Sequence, residues 1–152
     1  MRYLLLFIFV GSLSLKATAQ ANKNIQFTFN HVSLSVKDVN AAAEFYSEVL
    51  NLQEIVNRTK IDGVRWFSLN EEKELHLIAI IKTPITINKA VHFALTTPDF
   101  DAFIERLQQL KVAYGDWPGT PNKITIRADG IKQIYFQDPD GYWIELNSVA
   151  VK

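Results

Sequence analysis

The sequence predicts an α+β fold of two βαβββ modules, forming an eight-stranded mixed sheet with one helix covering each module. Three observations predict it. A strand–helix–three-strand order occurs twice, the two copies keep a constant offset, and 152 residues suffice for two small modules and little else. The offset shows in two residue pairs: His31 and His92 are 61 positions apart, and so are Asp38 and Asp99. The plainer alternative is one α+β sheet with two covering helices.

In the first copy, residues 29–36 (FNHVSLSV) alternate as a strand, with Val32, Leu34 and Val36 on one face and His31, Ser33 and Ser35 on the other. Asp38 is placed to N-cap a helix over 39–50, whose apolar positions Ala42, Phe45, Tyr46 and Val49 recur at helical spacing. Strands follow over 53–59, 64–70 and 74–81, separated by turn residues at Asp62-Gly63 and 70–73. In the second copy, residues 91–96 (VHFALT) alternate in the same way. Asp99 stands where an N-cap is needed for a helix bearing Phe100, Phe103, Ile104, Leu107 and Leu110. Strands are expected over 124–128, 131–137 and 142–148, after a longer, looser stretch over 112–123. Module one then covers 28–82 and module two 89–149, within one domain over 28–149.

Composition narrows the chemistry. Hydrophobic residues at 48% and charged residues at 21% describe a globular chain, not a disordered one. The absence of cysteine removes disulfides, cysteine–zinc sites and thiol nucleophiles together. Sixteen basic against sixteen acidic residues leave no excess for binding nucleic acid through its phosphates. Histidine is the scarcest reactive type present, at three residues.

The first residues read as an address. Arg2 precedes an apolar run over 4–10 that weakens through 11–15, and Ala17-Thr18-Ala19 offers the small residues a signal peptidase reads. The run is short for a bilayer span, and no cysteine follows it to carry a lipid. A signal peptide over 1–19 is therefore expected, followed by a linker over 20–27, with export to the periplasm or medium and no stable membrane insertion after cleavage. Cleavage takes Arg2 and Lys16 from the 16 basic residues and none of the 16 acidic ones, for a net charge of −2.

Four polar residues stand where strand parity places a face opposite the helix. They are His31, His76 (beside Leu75 and Leu77), His92, and Glu145 (between Ile144 and Leu146). Three imidazoles and a carboxylate from four strands suit a hard or borderline divalent cation, with room left for water or substrate. Taken singly, each is as readily a hydrogen-bonded strand residue or a solvent-facing one. The repeat strengthens the set, because His31 and His92 occupy the same place in both copies, and His76 and Glu145 both lie on the last strand of their copy.

Three segments carry a resemblance: FNHVSLSVKDVNAAAEFYSEVLNLQEI at the start, AVHFALTTPDFDAFIERL in the middle and QIYFQDPDGYWIEL near the end. On these the chain, over about 27–149, resembles the glyoxalase, bleomycin-resistance and extradiol-dioxygenase superfamily, the vicinal oxygen chelate proteins. The most specific part is Asp138-Pro139-Asp140-Gly141, a turn in which Pro139 presets φ and Gly141 tolerates a positive one. The resemblance implies two βαβββ modules forming a cupped sheet around a metal. It also implies metal positions at His31, His76, His92 and Glu145, and a divalent ion (zinc, nickel, manganese, cobalt or iron) as cofactor. Glyoxalases of this superfamily usually carry Glu or Gln where this chain has His76, which puts a two-base isomerisation in doubt and makes His76 a fourth ligand or a base in its own right.

The expected activity is that of a glyoxalase-like lyase or isomerase, with Glu145 as ligand and possible base. Its substrate is a small molecule chelating the metal through two oxygens. The alternatives are a ring-cleaving dioxygenase built on His31, His92 and Glu145, or a non-enzymatic small-molecule binder of the bleomycin-resistance kind. Fosfomycin-type thiol transfer and strict glyoxalase I chemistry both need a cytosolic thiol, which an exported protein would lack. Parity adds Arg127 as a holder of a carboxylate or phosphate, and Trp66, Tyr135 and Trp143 as walls of an apolar pocket. The bland readings are an exposed arginine and ordinary core aromatics. The partners expected are a small-molecule substrate and a second copy in a homodimer. The modules then either close on each other within one chain or exchange between two.

Overall fold

The structure, a computed structural model, describes residues 26–81 and 83–149. The expected leader over 1–19 and most of the linker over 20–27 lie outside the described residues. Module one consists of β1 (His31–Ser35), α1 (Val39–Glu48), β2 (Glu54–Ile55), β3 (Val64–Ser68) and β4 (Glu74–Ile78). Its four strands form one sheet in the order β1-β4-β3-β2, with β4 parallel to β1 and antiparallel to β3. Module two consists of β5 (His92–Thr96), α2 (Phe100–Gln109), β6 (Tyr114–Gly115), β7 (Thr125–Ile126), β8 (Lys132–Gln137) and β9 (Trp143–Asn147). Its sheet runs β5-β9-β8-β6, with β9 parallel to β5 and β7 also paired to β8. The two-module α+β architecture read from the sequence is the one observed.

Alternation explains the layers. Leu34, Phe67, Leu75 and Leu77 of the first sheet are buried with Ala42, Ala43 and Tyr46 of α1. Ile134, Phe136, Ile144 and Leu146 of the second are buried with Phe100, Ile104 and Leu107 of α2. Each of the larger residues stabilises the fold by roughly 1.5–3 kcal/mol through removal of its apolar surface from water. The intervening residues of each central strand face away from the helix, and the candidate ligands are among them.

Two local expectations are corrected. The strand expected over 124–128 shrinks to the two residues of β7, and Ile126 is exposed instead of packed. The place that β2 holds beside β3 is taken in module two by β6, which lies in the stretch read as loose. Among the described residues nine strands therefore appear where eight were expected, and β6 is the addition. β6 depends on Gly115, since a Cβ there would come within 2.5 Å of the Thr120 carbonyl oxygen. The second correction concerns helix caps. Asp38 caps α1 through Oδ1, which accepts from the amides of Asn40 (2.8 Å) and Ala41 (3.2 Å). Asp99 makes no side-chain cap bond, because its ψ of 38° departs from the extended backbone (ψ 113°) that aims the Asp38 carboxylate at the helix.

The modules are joined largely by the turn after β8. Within it, Asp138 Oδ1 accepts from the amides of Asp140 (3.0 Å) and Tyr142 (2.8 Å), and Gly141 adopts φ +91°. Outward from it, Asp138 Oδ2 accepts from the Tyr46 hydroxyl of α1 (2.9 Å) and Asp140 Oδ1 from the Lys37 amide (3.0 Å). The Tyr142 hydroxyl accepts from the Ser35 amide (3.1 Å) and donates to the Ser35 carbonyl (3.0 Å) at the end of β1. From α2, the Arg106 guanidinium donates to the carbonyls of Glu48 and Val49 at the end of α1.

Candidate metal centre

Strand pairing assembles the candidate residues into two groups, one per sheet. In module one, β4 sits between β1 and β3. The His76 ring is flanked there by His31 (centroids 4.4 Å apart, planes at 15°) and Trp66 (4.1 Å, 6°). His76 Nε2 lies 2.8 Å from Glu74 Oε2, and the Arg58 guanidinium donates to Glu74 Oε1 at 2.6 Å while lying over the Trp66 ring. The His76 and Arg58 donors hold the Glu74 carboxyl below the usual carboxylate range. His31 is exposed, and its Nδ1 lies 2.7 Å from Asn30 Oδ1.

In module two, β9 sits between β5 and β8. His92 Nε2 faces Glu145 Oε2 at 3.3 Å. Glu145 Oε2 also accepts from the Tyr135 hydroxyl (2.8 Å), which in turn accepts from Gln133 Nε2 (2.9 Å), and Glu145 Oε1 accepts from Asn147 (3.3 Å). Burial pushes the Glu145 carboxyl up, but these donors and His92 outweigh it and leave it below the usual range. Burial and the neighbouring carboxylate push the Tyr135 phenol up to about 12, so it remains a hydrogen donor at neutral pH.

Lys89 ties this group together. Its carbonyl oxygen lies 2.9 Å from His92 Nδ1. Its ammonium donates to the carbonyls of Asp116 (2.6 Å) and Trp117 (3.0 Å), and lies over the rings of Tyr135 (4.7 Å) and Trp143 (4.5 Å). Burial pulls its pKa down. The buried Asp116 fixes the loop by accepting from the Gly119 and Thr120 amides, which brings Trp117 edge-on to His92 and Tyr135. A cavity of about 300 Å³ lined by Tyr114, Pro121, Tyr135 and Trp143 adjoins this group.

The donor atoms suit a cation. A carbonyl oxygen only accepts, so the His92 Nδ1 facing Lys89 carries a proton, and whenever Nε2 is not also protonated it presents a lone pair. That lone pair confronts a carboxylate oxygen, and two acceptors 3.3 Å apart are satisfied only by a positive charge, a proton or a metal ion, shared between them. Imidazole and carboxylate ligands about 2.0–2.2 Å from one ion, at adjacent coordination positions, stand about 3 Å apart. His31 is arranged like His92, with Nδ1 on an amide oxygen and Nε2 open.

The four predicted ligands are not brought to one point. His31 pairs with His76 and His92 with Glu145, and among the described residues no three His, Cys, Asp or Glu side chains are placed to hold a metal. Of the predicted substrate residues, Trp66, Tyr135 and Trp143 stand beside these pairs. Arg127 is exposed and pairs with Asp129 at 2.7 Å, although its charge is felt at Tyr135. Sequence reading missed Lys89, Trp117 and the role of Glu74.

The family model for the glyoxalase/bleomycin resistance protein/dioxygenase superfamily matches residues 28–146. The chain belongs to this superfamily. It is 32% identical over 127 residues to the metallothiol transferase FosB of Staphylococcus epidermidis, covering 81% of this chain and 82% of that one. It is 29% identical to the fosfomycin resistance protein FosX of Listeria monocytogenes, covering 78% of this chain and 87% of that one. Among solved structures it is similar to the oxidase ChaP-H2 (TM-score 0.69, 22% identity, 83% of this chain and 96% of that one). It is also similar to a lactoylglutathione lyase from Agrobacterium tumefaciens (TM-score 0.61, 20% identity, 80% and 93%). At these identities the structural likeness establishes the fold alone. The names of FosB, ChaP-H2 and the lyase are those of enzymes, a metallothiol transferase, an oxidase and a lyase.

Proposed function

We propose that this protein is an exported, metal-dependent enzyme of lyase or isomerase type, acting on a small molecule that offers two oxygens to a divalent ion. His31, His92 and Glu145 hold the ion in this reading. The observation that carries it is the confrontation of the His92 Nε2 lone pair with Glu145 Oε2 at 3.3 Å, with Nδ1 fixed on the Lys89 carbonyl. A divalent ion bound there supplies Lewis-acid polarisation of substrate oxygens. The chain supplies the rest. Glu145, kept ionised by its donors, is poised to accept a proton. Tyr135 holds that carboxylate in place and remains protonated to donate. Trp117 and Trp143 wall the approach, and Arg127 at its margin attracts an anionic group.

The site is shared between two copies of the chain in this proposal. The contacts within one chain run through α1, α2 and the turn after β8, which leaves β1 and β5 as sheet edges. Phe29 and Val91, just before these edges, are exposed. A second copy would bring His31 of one chain to His92 and Glu145 of the other.

The test is elemental analysis of the purified mature protein before and after reconstitution, expected to give one divalent ion per site. Absence of any bound ion after reconstitution overturns the enzyme reading in favour of a metal-free binding protein. Dimers mixed from His31→Ala and Glu145→Ala chains should regain activity, whereas sites closed within one chain would leave them inactive. The substrate screen covers dicarbonyls, hydroxy acids and catechols. The relationship to FosB and FosX favours a second reading, modification of fosfomycin, so the screen includes that compound with and without a small thiol. Thiol-dependent turnover of fosfomycin would replace the lyase or isomerase reading.

A further inference from the structure

The three histidines are not equivalent, and the difference lies in which nitrogen each has left. His31 and His92 both direct Nδ1 at an oxygen that can only accept, Asn30 Oδ1 at 2.7 Å and the Lys89 carbonyl at 2.9 Å. His31 therefore keeps Nε2 open, and His92 turns Nε2 to Glu145 Oε2 at 3.3 Å. His76 is reversed: its Nε2 lies 2.8 Å from a Glu74 carboxylate oxygen, so that nitrogen carries the proton and is occupied.

Ring geometry gives an independent argument. An imidazole binds a metal in the plane of its ring, along the nitrogen lone pair. The His31 and His76 rings are stacked 4.4 Å apart with planes only 15° from parallel. Planes so disposed meet only far outside coordination distance, so one ion about 2.0–2.1 Å from a nitrogen of each ring cannot lie in both planes. The stack is also clamped from behind. Trp66 covers the other face of His76 at 4.1 Å and 6°, Arg58 lies 4.7 Å above Trp66, and the same Arg58 holds the Glu74 that holds His76. Arg58, Trp66, His76 and Glu74 form a closed ring of contacts, with His31 resting on its open side.

We propose that His76 is not a metal ligand but a positioning residue, a stacking platform that sets the tilt of the His31 ring so that Nε2 of His31 meets the ion. This rests on the reading that His31, His92 and Glu145 hold a divalent ion. Glu74 and Arg58 act one step further out, by fixing the rotation of the His76 ring.

The experiment is cobalt(II) loading of the full-length mature protein, read by the visible absorption of the bound cobalt and by competition with a chelator. His76→Phe keeps a flat ring and deletes both nitrogens. It is expected to retain the wild-type cobalt spectrum and stoichiometry, with an affinity within about threefold. His76→Ala deletes the platform and is expected to weaken cobalt binding about 10- to 100-fold, the usual range for a residue that orients a ligand. Glu74→Gln, which leaves the stack in place, should weaken it less than His76→Ala and carries the test if the alanine variant does not fold. Loss of the wild-type spectrum in His76→Phe would show that a nitrogen ligand has gone and overturn the proposal. Unchanged affinity in both His76→Ala and Glu74→Gln would overturn it from the other side. A wild-type protein that takes up no cobalt fails differently, since it removes the metal reading itself.

Discussion

The two modules are the same construction fitted with different chemistry. In module one, Ser33 of β1 pairs with His76 of β4, which pairs with Trp66 of β3. In module two, Ala94 of β5 pairs with Glu145 of β9, which pairs with Tyr135 of β8. His31 and His92 each stand two residues before the first member of its row, on the same face. His76 is therefore the counterpart of Glu145, and Trp66 of Tyr135. The aromatic residue suits its partner in each case: a flat indole stacks on an imidazole, and a phenol donates its proton to a carboxylate. The second sheet has become an anionic donor set, and the first a support for one imidazole.

Glu145→Ala breaks the comparison most severely. It removes the only carboxylate of the proposed ligand set and should lower kcat/KM by at least about 1000-fold, with metal loss seen by elemental analysis. The next effect concerns the turns before the last strands. The turn at 70–73 in module one is closed by its own backbone, whereas Asp138 serves two amides and the Tyr46 hydroxyl at once. Asp138→Ala should destabilise the fold by about 2–4 kcal/mol in urea unfolding, because it strands several buried donors. Tyr46→Phe, which removes one bond, should cost about 1 kcal/mol.

Asp138 also sets a pH dependence. Burial raises its carboxyl above the ordinary 3.8, so the folded state holds this proton more tightly than the unfolded chain. Its contribution is fully present below the unfolded value and is lost as pH rises through the folded value. The stability of the wild type relative to Asp138→Asn should therefore decline as pH rises from about 4, read by urea unfolding of both at each pH.

Smaller effects sharpen the comparison. Tyr135→Phe deprives Glu145 of a donor and should weaken metal binding about 10-fold by chelator competition. Trp66→Phe, which preserves stacking, should change it less. The smallest contrast is between the helix caps. Asp38→Ala should lower stability by about 1 kcal/mol, and Asp99→Ala by a few tenths at most, since only Asp38 bonds its helix.

Alternation made much of this legible in advance. Parity alone put His31, His76, His92 and Glu145 on the faces turned from the helices, and the constant offset paired the modules. β6 was illegible because two residues are too few to alternate, and its hold depends on Gly115 meeting Thr120. Lys89 was hidden for a different reason: it acts through its carbonyl on His92 and through its ammonium on a loop 27 residues away. The role of Glu74 was hidden because Arg58, in the loop between β2 and β3, reaches it only in the folded chain. The reach of each half-site also escaped periodicity, which orders faces within a sheet and says nothing about what a second sheet contributes.

The turn after β8 works as a key cut with three teeth. Asp138, Asp140 and Tyr142, spaced two apart, engage Tyr46, Lys37 and Ser35 of the other module. Three residues past the last tooth stands Glu145. The carboxylate is thus indexed to the frame of module one, and a change in how the halves of the chain seat against each other is delivered along β9 to the proposed metal site.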